Sequence, residues 1–204
     1  MKVSLEKTYP VPASAETTWT LLQDIEAVAG CMPGARITER VDERHYKGTV
    51  AVRFGPANMT FRGEVEVVSI EPTARTLRLI GKGTDTTGGS GASMDLTARV
   101  EPLGGDASSL VGTSEVSMSG KAATFGGRLA LPVAEQILQQ FAGSFAAKAR
   151  ERQAAATAVA PTAEEQGAAP APTPAAPETR LNALALLWAV IKATMRSWFS
   201  TRKA

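Results

Sequence analysis

The sequence predicts an α+β protein in which an antiparallel sheet is closed by one long helix at the end of the folded domain. The first observation is a period of two: from about residue 36 to 121 apolar and polar residues alternate, interrupted by turn-forming pairs, as in strands that bury one face. The second is a change of period. From 132 to about 152, Val133, Ile137, Leu138, Phe141 and Phe145 recur at helical spacing and form one apolar stripe. The third is that nearly every strand puts a glycine or another small residue on its apolar face, which bears on what lies between sheet and helix.

Val3, Leu5, Lys7 and Tyr9 alternate with polar neighbours in a first strand, which Pro10-Val11-Pro12 stops. Ser14 is an N-cap, and Trp19, Leu22 and Ile25 form the apolar face of a short helix that reaches the break at 29–34. Pro33-Gly34 is a turn, and a strand begins at Arg36. The meander continues through 46–54, 59–70, 75–84, 93–100 and 110–120, with Gly55-Pro56, Glu71-Pro72 and 86–91 as turns. Such short connections imply antiparallel neighbours, since a parallel crossover needs about a dozen residues or more. Pro132 suits the first turn of the final helix, and Lys148, Arg150 and Arg152 oppose the negative end of its dipole.

Taking alternate residues, the buried face holds Tyr46, Gly48, Val50, Val52 and Phe54, then Met59, Phe61, Gly63, Val65 and Val67, then Leu77, Leu79, Gly81 and Gly83. It continues as Met94, Leu96, Ala98 and Val100, and as Leu110, Gly112, Ser114, Val116, Met118 and Gly120. Lys47, Arg53, Arg62, Glu64, Glu66, Arg78, Lys82, Asp95, Arg99 and Glu115 fall on the opposite face. The glycines have two readings that do not exclude each other: they let the sheet coil tightly around the helix, or they leave room for a ligand. On the second, the sheet wall comprises Met59, Phe61, Gly63, Leu79, Gly81, Met94, Gly112, Val116 and Met118, facing Val133, Ile137, Phe141 and Phe145. Trp19 and Met32 close one end.

Composition divides the 204 residues into a domain, 1–152, a tether, 153–179, and a tail, 180–204. The tether has eleven Ala and five Pro with no Lys or Arg, so it has little to bury and is expected to be disordered. The tail has five basic and no acidic residues, which leaves the domain with seventeen charges of each sign. A neutral domain argues against nucleic-acid binding, which needs a basic stripe. The single cysteine, Cys31, rules out an intrachain disulfide and fits a reducing compartment; with no signal-peptide run at the start, a cytoplasmic location is expected.

Catalysis needs convergent polar groups, and the sequence does not supply them. His45 is the only histidine, Cys31 lies in a turn without a second cysteine, and the buried strand faces just given contain no carboxylate, lysine or arginine. Neither Ser119-Gly120-Lys121-Ala122 nor Gly81-Lys82-Gly83 completes a phosphate-binding loop. No catalytic residue, metal ligand or covalent cofactor is expected.

In the tail, Leu184, Leu187, Trp188, Ile191, Met195, Trp198 and Phe199 line one helical face, with Lys192, Arg196, Arg202 and Lys203 supplying charge around it. The uncharged run 181–191 has 11 residues, too few to span a bilayer, which takes about 20. The segment is therefore expected to lie on an anionic membrane surface, with docking on a protein as the alternative.

The strand ending near Val11-Pro12-Ala13, the helix with Glu16 and Trp19, the segment Gly30-Cys31-Met32-Pro33-Gly34-Ala35, the strands around Tyr46-Lys47-Gly48 and Phe61-Gly63, and the long last helix together resemble the CoxG family of carbon monoxide dehydrogenase subunits. Over residues 1 to about 152 this resemblance implies a helix-grip fold of the START-like, Bet v 1-like superfamily, a curved antiparallel sheet wrapped around the final helix with an apolar cavity between them. It implies a non-catalytic accessory role beside a molybdenum-containing hydroxylase such as carbon monoxide dehydrogenase, recruiting that enzyme to the inner face of the cell membrane. Carriage of an isoprenoid quinone, menaquinone or ubiquinone, is the physical extension of that role. The alternatives are a membrane adaptor with a filled core, a generic lipid or hydrophobic small-molecule binder, and an enzyme of the same superfamily.

Overall fold

The computed structural model describes residues 1–54 and 57–159. In chain order the elements are β1 (Lys2–Val11), α1 (Ala15–Gln23), α2 (Ile25–Cys31), β2 (Ala35–Arg40), β3 (His45–Phe54), β4 (Ala57–Glu71), β5 (Thr76–Asp85), β6 (Ser90–Gly104), β7 (Ala107–Gly120) and α3 (Lys121–Val159). The strands form one sheet in the order β1-β7-β6-β5-β4-β3-β2, antiparallel throughout. Each strand from β2 to β6 pairs with its successor through a short connection, and only β1 leaves chain order, pairing with β7. This is the expected helix-grip arrangement, a curved sheet closed by a long C-terminal helix.

The register places the expected residues on one face. Gly48, Gly63, Gly83, Ala92 and Met118 lie side by side across β3 to β7, and the next row runs Tyr46, Val65, Gly81, Met94, Val116 and Val3. Asp85 belongs to this face as well, in register with Phe61, and is only 6% exposed. The inner face therefore does carry a carboxylate, contrary to expectation. β5 runs one residue past the predicted strand, and Asp85 stays buried because Thr87 Oγ1 donates to it within the following turn.

The first helical stretch is two helices rather than one. Asp24 ends α1, its N–H bonding Leu21 O at 3.1 Å, and starts α2 by accepting from Ala27 N at 3.0 Å. An aspartate side chain competes well for backbone N–H groups at such a break. Trp19, Leu22 and Ile25 hide it in the sequence because both helices bury into the same core. Ser14 caps α1 as expected, accepting from Thr17 N at 3.1 Å.

α3 also differs at both ends. It begins at Lys121, so Pro132 lies inside the helix, where it removes one N–H from the ladder rather than occupying a first turn. The start is set by tertiary contacts: Lys121 N bonds Gly89 O and Ala122 N bonds Ser90 Oγ, each at 3.0 Å. These partners satisfy N–H groups that a helix start leaves orphaned. At its other end the helix continues through Val159, past the expected boundary at 152, consistent with the high helix propensity of the Ala-rich 153–159. The first compact unit spans Met1–Pro161. The rest of the expected tether and the whole expected membrane-binding tail lie outside the described residues. Among the described residues no helix is long and apolar enough to cross a membrane.

Burial is concentrated in two clusters. The larger combines Val11, Trp19, Leu21, Leu22, Tyr46, Leu77, Leu110 and Phe145 with their neighbours, and the smaller is built on Met59 and Ala122. Each fully buried large side chain, such as Leu21, Leu77 or Phe145, contributes about 1.5–3 kcal/mol of transfer free energy. Successive turns of α3 serve different regions. Val133 packs on the small cluster, while Phe141 and Phe145 pack into the large one, their rings 5.6 Å apart.

Candidate functional site

Between the sheet and α3, bordered by residues of both clusters, lies a cavity of about 430 Å³. Its wall takes Val3 and Leu5 from β1, Val28 and Ala29 from α2, Val50 and Val52 from β3, and Phe61, Gly63 and Val65 from β4. It continues with Leu79 and Gly81 from β5, Met94 and Leu96 from β6, Val116 and Met118 from β7, and Val133, Ala134 and Ile137 from α3, while Met32 follows α2. Of the residues expected to line a cavity, Met32, Phe61, Gly63, Leu79, Gly81, Met94, Val116, Met118, Val133 and Ile137 are brought together on this wall.

Trp19, Met59, Gly112, Phe141 and Phe145 are not on it. Trp19, at 5% exposure, and Phe145, at 0%, are consumed by the large core, against which Phe141 also packs. Met59 fills the small cluster at the other end. Gly112 pairs with Lys7 and Ala98 beyond the cavity, and the atom that a Cβ there would meet is Leu96 Cδ1 at 3.9 Å. The period of two assigns a residue to a face but not to a position along α3, and that position separates cavity from core.

The strand glycines do both things the sequence left open. A Cβ on Gly63 would lie 1.9 Å from Lys82 O and 2.6 Å from Gly83 Cα, and one on Gly48 would lie 2.6 Å from Arg36 O. At these positions neighbouring backbone occupies the side-chain space, so the glycines permit the tight coil. Gly81 is different: its Cβ would meet Met94 Cε at 3.7 Å and Val65 Cγ2 at 3.9 Å, ordinary contacts, and its missing side chain enlarges the cavity.

Several wall residues were not expected at a site. Val3 and Leu5 come from the edge strand farthest away in sequence, and Val28 and Ala29 follow the break at Asp24. Val52, Val65 and Leu96 lie on the expected face but carry none of the glycine or methionine signal that distinguishes their neighbours.

Among the described residues the wall carries no histidine, cysteine or aspartate, and its charged residues Arg36, Glu64 and Lys82 are exposed. No buried side-chain nitrogen or oxygen among the described residues lacks a hydrogen-bond partner. The lining therefore offers shape and apolar surface rather than buried polar partners. Polar groups sit around it as braces. Lys7 Nζ bonds Glu135 Oε1 at 3.1 Å, tying edge strand β1 to α3 beside Val133 and Ala134. At the other end Asp24 pairs with Arg152, while Gln153 Oε1 accepts from Thr17 Oγ1 at 2.7 Å and from Ser14 N at 3.1 Å. The Arg152 hydrogen bond holds the Asp24 carboxyl below its ordinary pKa. Burial pushes the Cys31 thiol up, against the opposing pull of Lys148 and Arg152, and the thiol donates to Ala27 O at 3.3 Å.

Solved structures place this architecture among START-like proteins. A conserved protein from Geobacillus kaustophilus is 19% identical, with TM-score 0.65, over 73% of this chain and 96% of its own. The Zhui aromatase/cyclase from Streptomyces is 18% identical, with TM-score 0.55, over 74% and 96%. A START superfamily protein from Mycobacterium smegmatis is 19% identical, with TM-score 0.52, over 72% and 97%. At these identities the likeness establishes the fold alone. No curated protein sequence matches the chain. Residues 8–150 match the model of the CoxG family of carbon monoxide dehydrogenase subunits, a span that holds both clusters and all of the cavity wall except Val3 and Leu5, and the chain belongs to that family.

Proposed function

We propose that this protein is a non-catalytic accessory factor that binds an isoprenoid quinone, menaquinone or ubiquinone, in its cavity and brings a molybdenum hydroxylase of the carbon monoxide dehydrogenase type to the inner face of the cytoplasmic membrane. The observation that carries the reading is the largely apolar cavity between the sheet and α3, bordered by residues of both clusters. Its volume lies within the range of small-molecule sites, about 300–1,000 Å³. Burying a charged metabolite on such a wall without a partner is very costly, whereas Met32, Met94 and Met118 can repack around a flat headgroup and the first units of an apolar chain. The family's name supports the choice of partner. The amphipathic basic sequence of 180–204, joined through an Ala/Pro-rich stretch, supports attachment to lipid.

The competing readings are separable by one experiment: gentle solvent extraction of the full chain purified from its host, with mass spectrometry of the extract and titration of the emptied protein with menaquinone and with ubiquinone. A co-purifying quinone and saturable rebinding are expected. Release of another lipid would make it a general hydrophobic carrier, failure to bind any apolar ligand would leave an adaptor, and conversion of a bound aromatic compound would make it an enzyme.

A further inference from the structure

The cavity is elongated and reaches solvent near one end. Val50 of β3 stands level with Phe61 of β4, and Leu79 of β5 stands level with Val67, six residues further along β4, so the wall extends about 20 Å along the strands. At the far end Ile25 and Leu79, each 8% exposed, belong both to the wall and to the large cluster, so solid core begins there. Near the other end Val50 is 38% exposed, and among the described apolar residues of the wall it alone is exposed rather than buried or half-buried. It lies on the inner face yet reaches solvent because the sheet runs out beside it: its partner Ala35 is the first residue of edge strand β2.

The volume limits what can be enclosed. Close-packed organic groups need about 20–25 Å³ per non-hydrogen atom, so the 430 Å³ here holds about twenty of them. A methylated naphthoquinone or a dimethoxybenzoquinone ring contributes about thirteen and each isoprene unit about five, which fills the space with the ring and about one or two units. A longer tail has to leave, and Val50 marks the side on which it can. The wall favours seating the ring rather than the tail inside. Met32, Met94 and Met118 offer thioethers that contact ring edges well. Gly81, paired with Met94, leaves a floor without a side chain beneath a flat group. A rigid ring also loses less conformational freedom on binding than a flexible chain does.

Taking the ligand to be a quinone, as proposed above, we infer that the protein encloses only the ring and the first one or two isoprene units, with the ring over Gly81 beside Met94, and that the rest of the tail emerges past Val50. The site then discriminates by headgroup and proximal chain and is indifferent to total tail length. The emerging tail stays available to a bilayer while the ring is held by protein.

The test is calorimetric titration of the full chain with menadione and with naphthoquinones that carry a decyl chain, with and without a bulky triphenylphosphonium cap at its end. Ring and decyl chain together have about 23 non-hydrogen atoms, so the cap lies outside the enclosed volume. Capped and uncapped decyl forms are expected to bind within about threefold of each other. The same cap on a propyl chain would be forced inside and is expected to cost about tenfold or more in affinity. Val50→Trp, at an exposed position, narrows the opening, with circular dichroism verifying the fold. It is expected to weaken binding of the capped decyl quinone about tenfold or more and to leave menadione, which has no tail, within about threefold. A capped decyl quinone that fails to bind where the uncapped form binds would show an enclosed chain end and overturn the inference. So would a Val50→Trp variant that binds both ligands as the wild type does, or that loses both equally. If the wild type binds none of these quinones, the quinone reading itself fails and the inference falls with it.

Discussion

Gly63→Ala and Gly81→Ala add the same methyl group to neighbouring strands on the same face of the sheet, yet the structure assigns them opposite consequences. At Gly63 the new Cβ would overlap Lys82 O, 1.9 Å away, and Gly83 Cα, 2.6 Å away. The obstruction is backbone on both counts, so relief requires β4 and β5 to separate locally, with loss of ladder hydrogen bonds. A cost of about 1–3 kcal/mol or more follows, in the range of overpacked cores. At Gly81 the nearest atoms are the flexible end of Met94 at 3.7 Å and Val65 Cγ2 at 3.9 Å. That contact is free of strain, and restriction of the unfolded chain makes the substitution neutral or stabilising by about 0.4–1 kcal/mol. Urea denaturation followed by circular dichroism reads both, as a fall in midpoint for Gly63→Ala and an unchanged or raised midpoint for Gly81→Ala, at equal slope. Equal destabilisation by the two would refute the division of the glycines into those that bend the sheet and those that leave space.

Other outcomes follow from the same geometry. Gly81→Phe projects a ring into the cavity and is expected to abolish quinone binding while leaving vesicle binding intact, as a quinone titration and a sedimentation assay will show; Gly112→Phe, off the cavity wall, serves as the comparison. Phe145→Ala, at a fully buried position, is expected to lose about 3–5 kcal/mol of unfolding free energy, read by the same urea titration. Asp24→Asn keeps a capping side chain but removes the ion pair with Arg152. Because the Asp24 pKa is lowered in the folded state, the pair stabilises above the unfolded pKa of about 3.9 and loses its effect as pH falls through the lower folded value. The melting-temperature gap between wild type and variant should accordingly be present at pH 6 and close in acid, corresponding to about 1 kcal/mol or less for a pair this exposed. Removing 180–204 is expected to leave a folded domain that no longer sediments with anionic vesicles. For the intact chain, about 0.5 M salt should weaken but not abolish that binding, since a Debye length near 4 Å screens charge and not apolar burial.

Features that depend on periodicity and local chemistry were legible in the order of residues. Alternation from β3 to β7 assigned Phe61, Leu79, Met94 and Val116 to one face, because a strand's side chains can point only two ways. Ser14 marked the start of α1 through a hydrogen bond three residues long, and the apolar stripe of 133–145 marked the helix that the sheet must bury. Features settled only on assembly involve partners remote in the chain. The start of α3 at Lys121 is satisfied by Gly89 and Ser90, and its far end is held by Asp24, Ser14 and Thr17. Asp85 is buried through a turn that the strand pattern did not include. The roles of the glycines required knowing what stands over each one, the backbone oxygen of Lys82 over Gly63 and, at ordinary contact distance, the side-chain ends of Met94 and Val65 over Gly81. Equally, the division of the α3 stripe into cavity at Val133 and Ile137 and solid core at Phe141 and Phe145 depends on how α1 and α2 fill one end of the sheet and leave the middle empty, and no local pattern records a volume that only the assembled elements enclose.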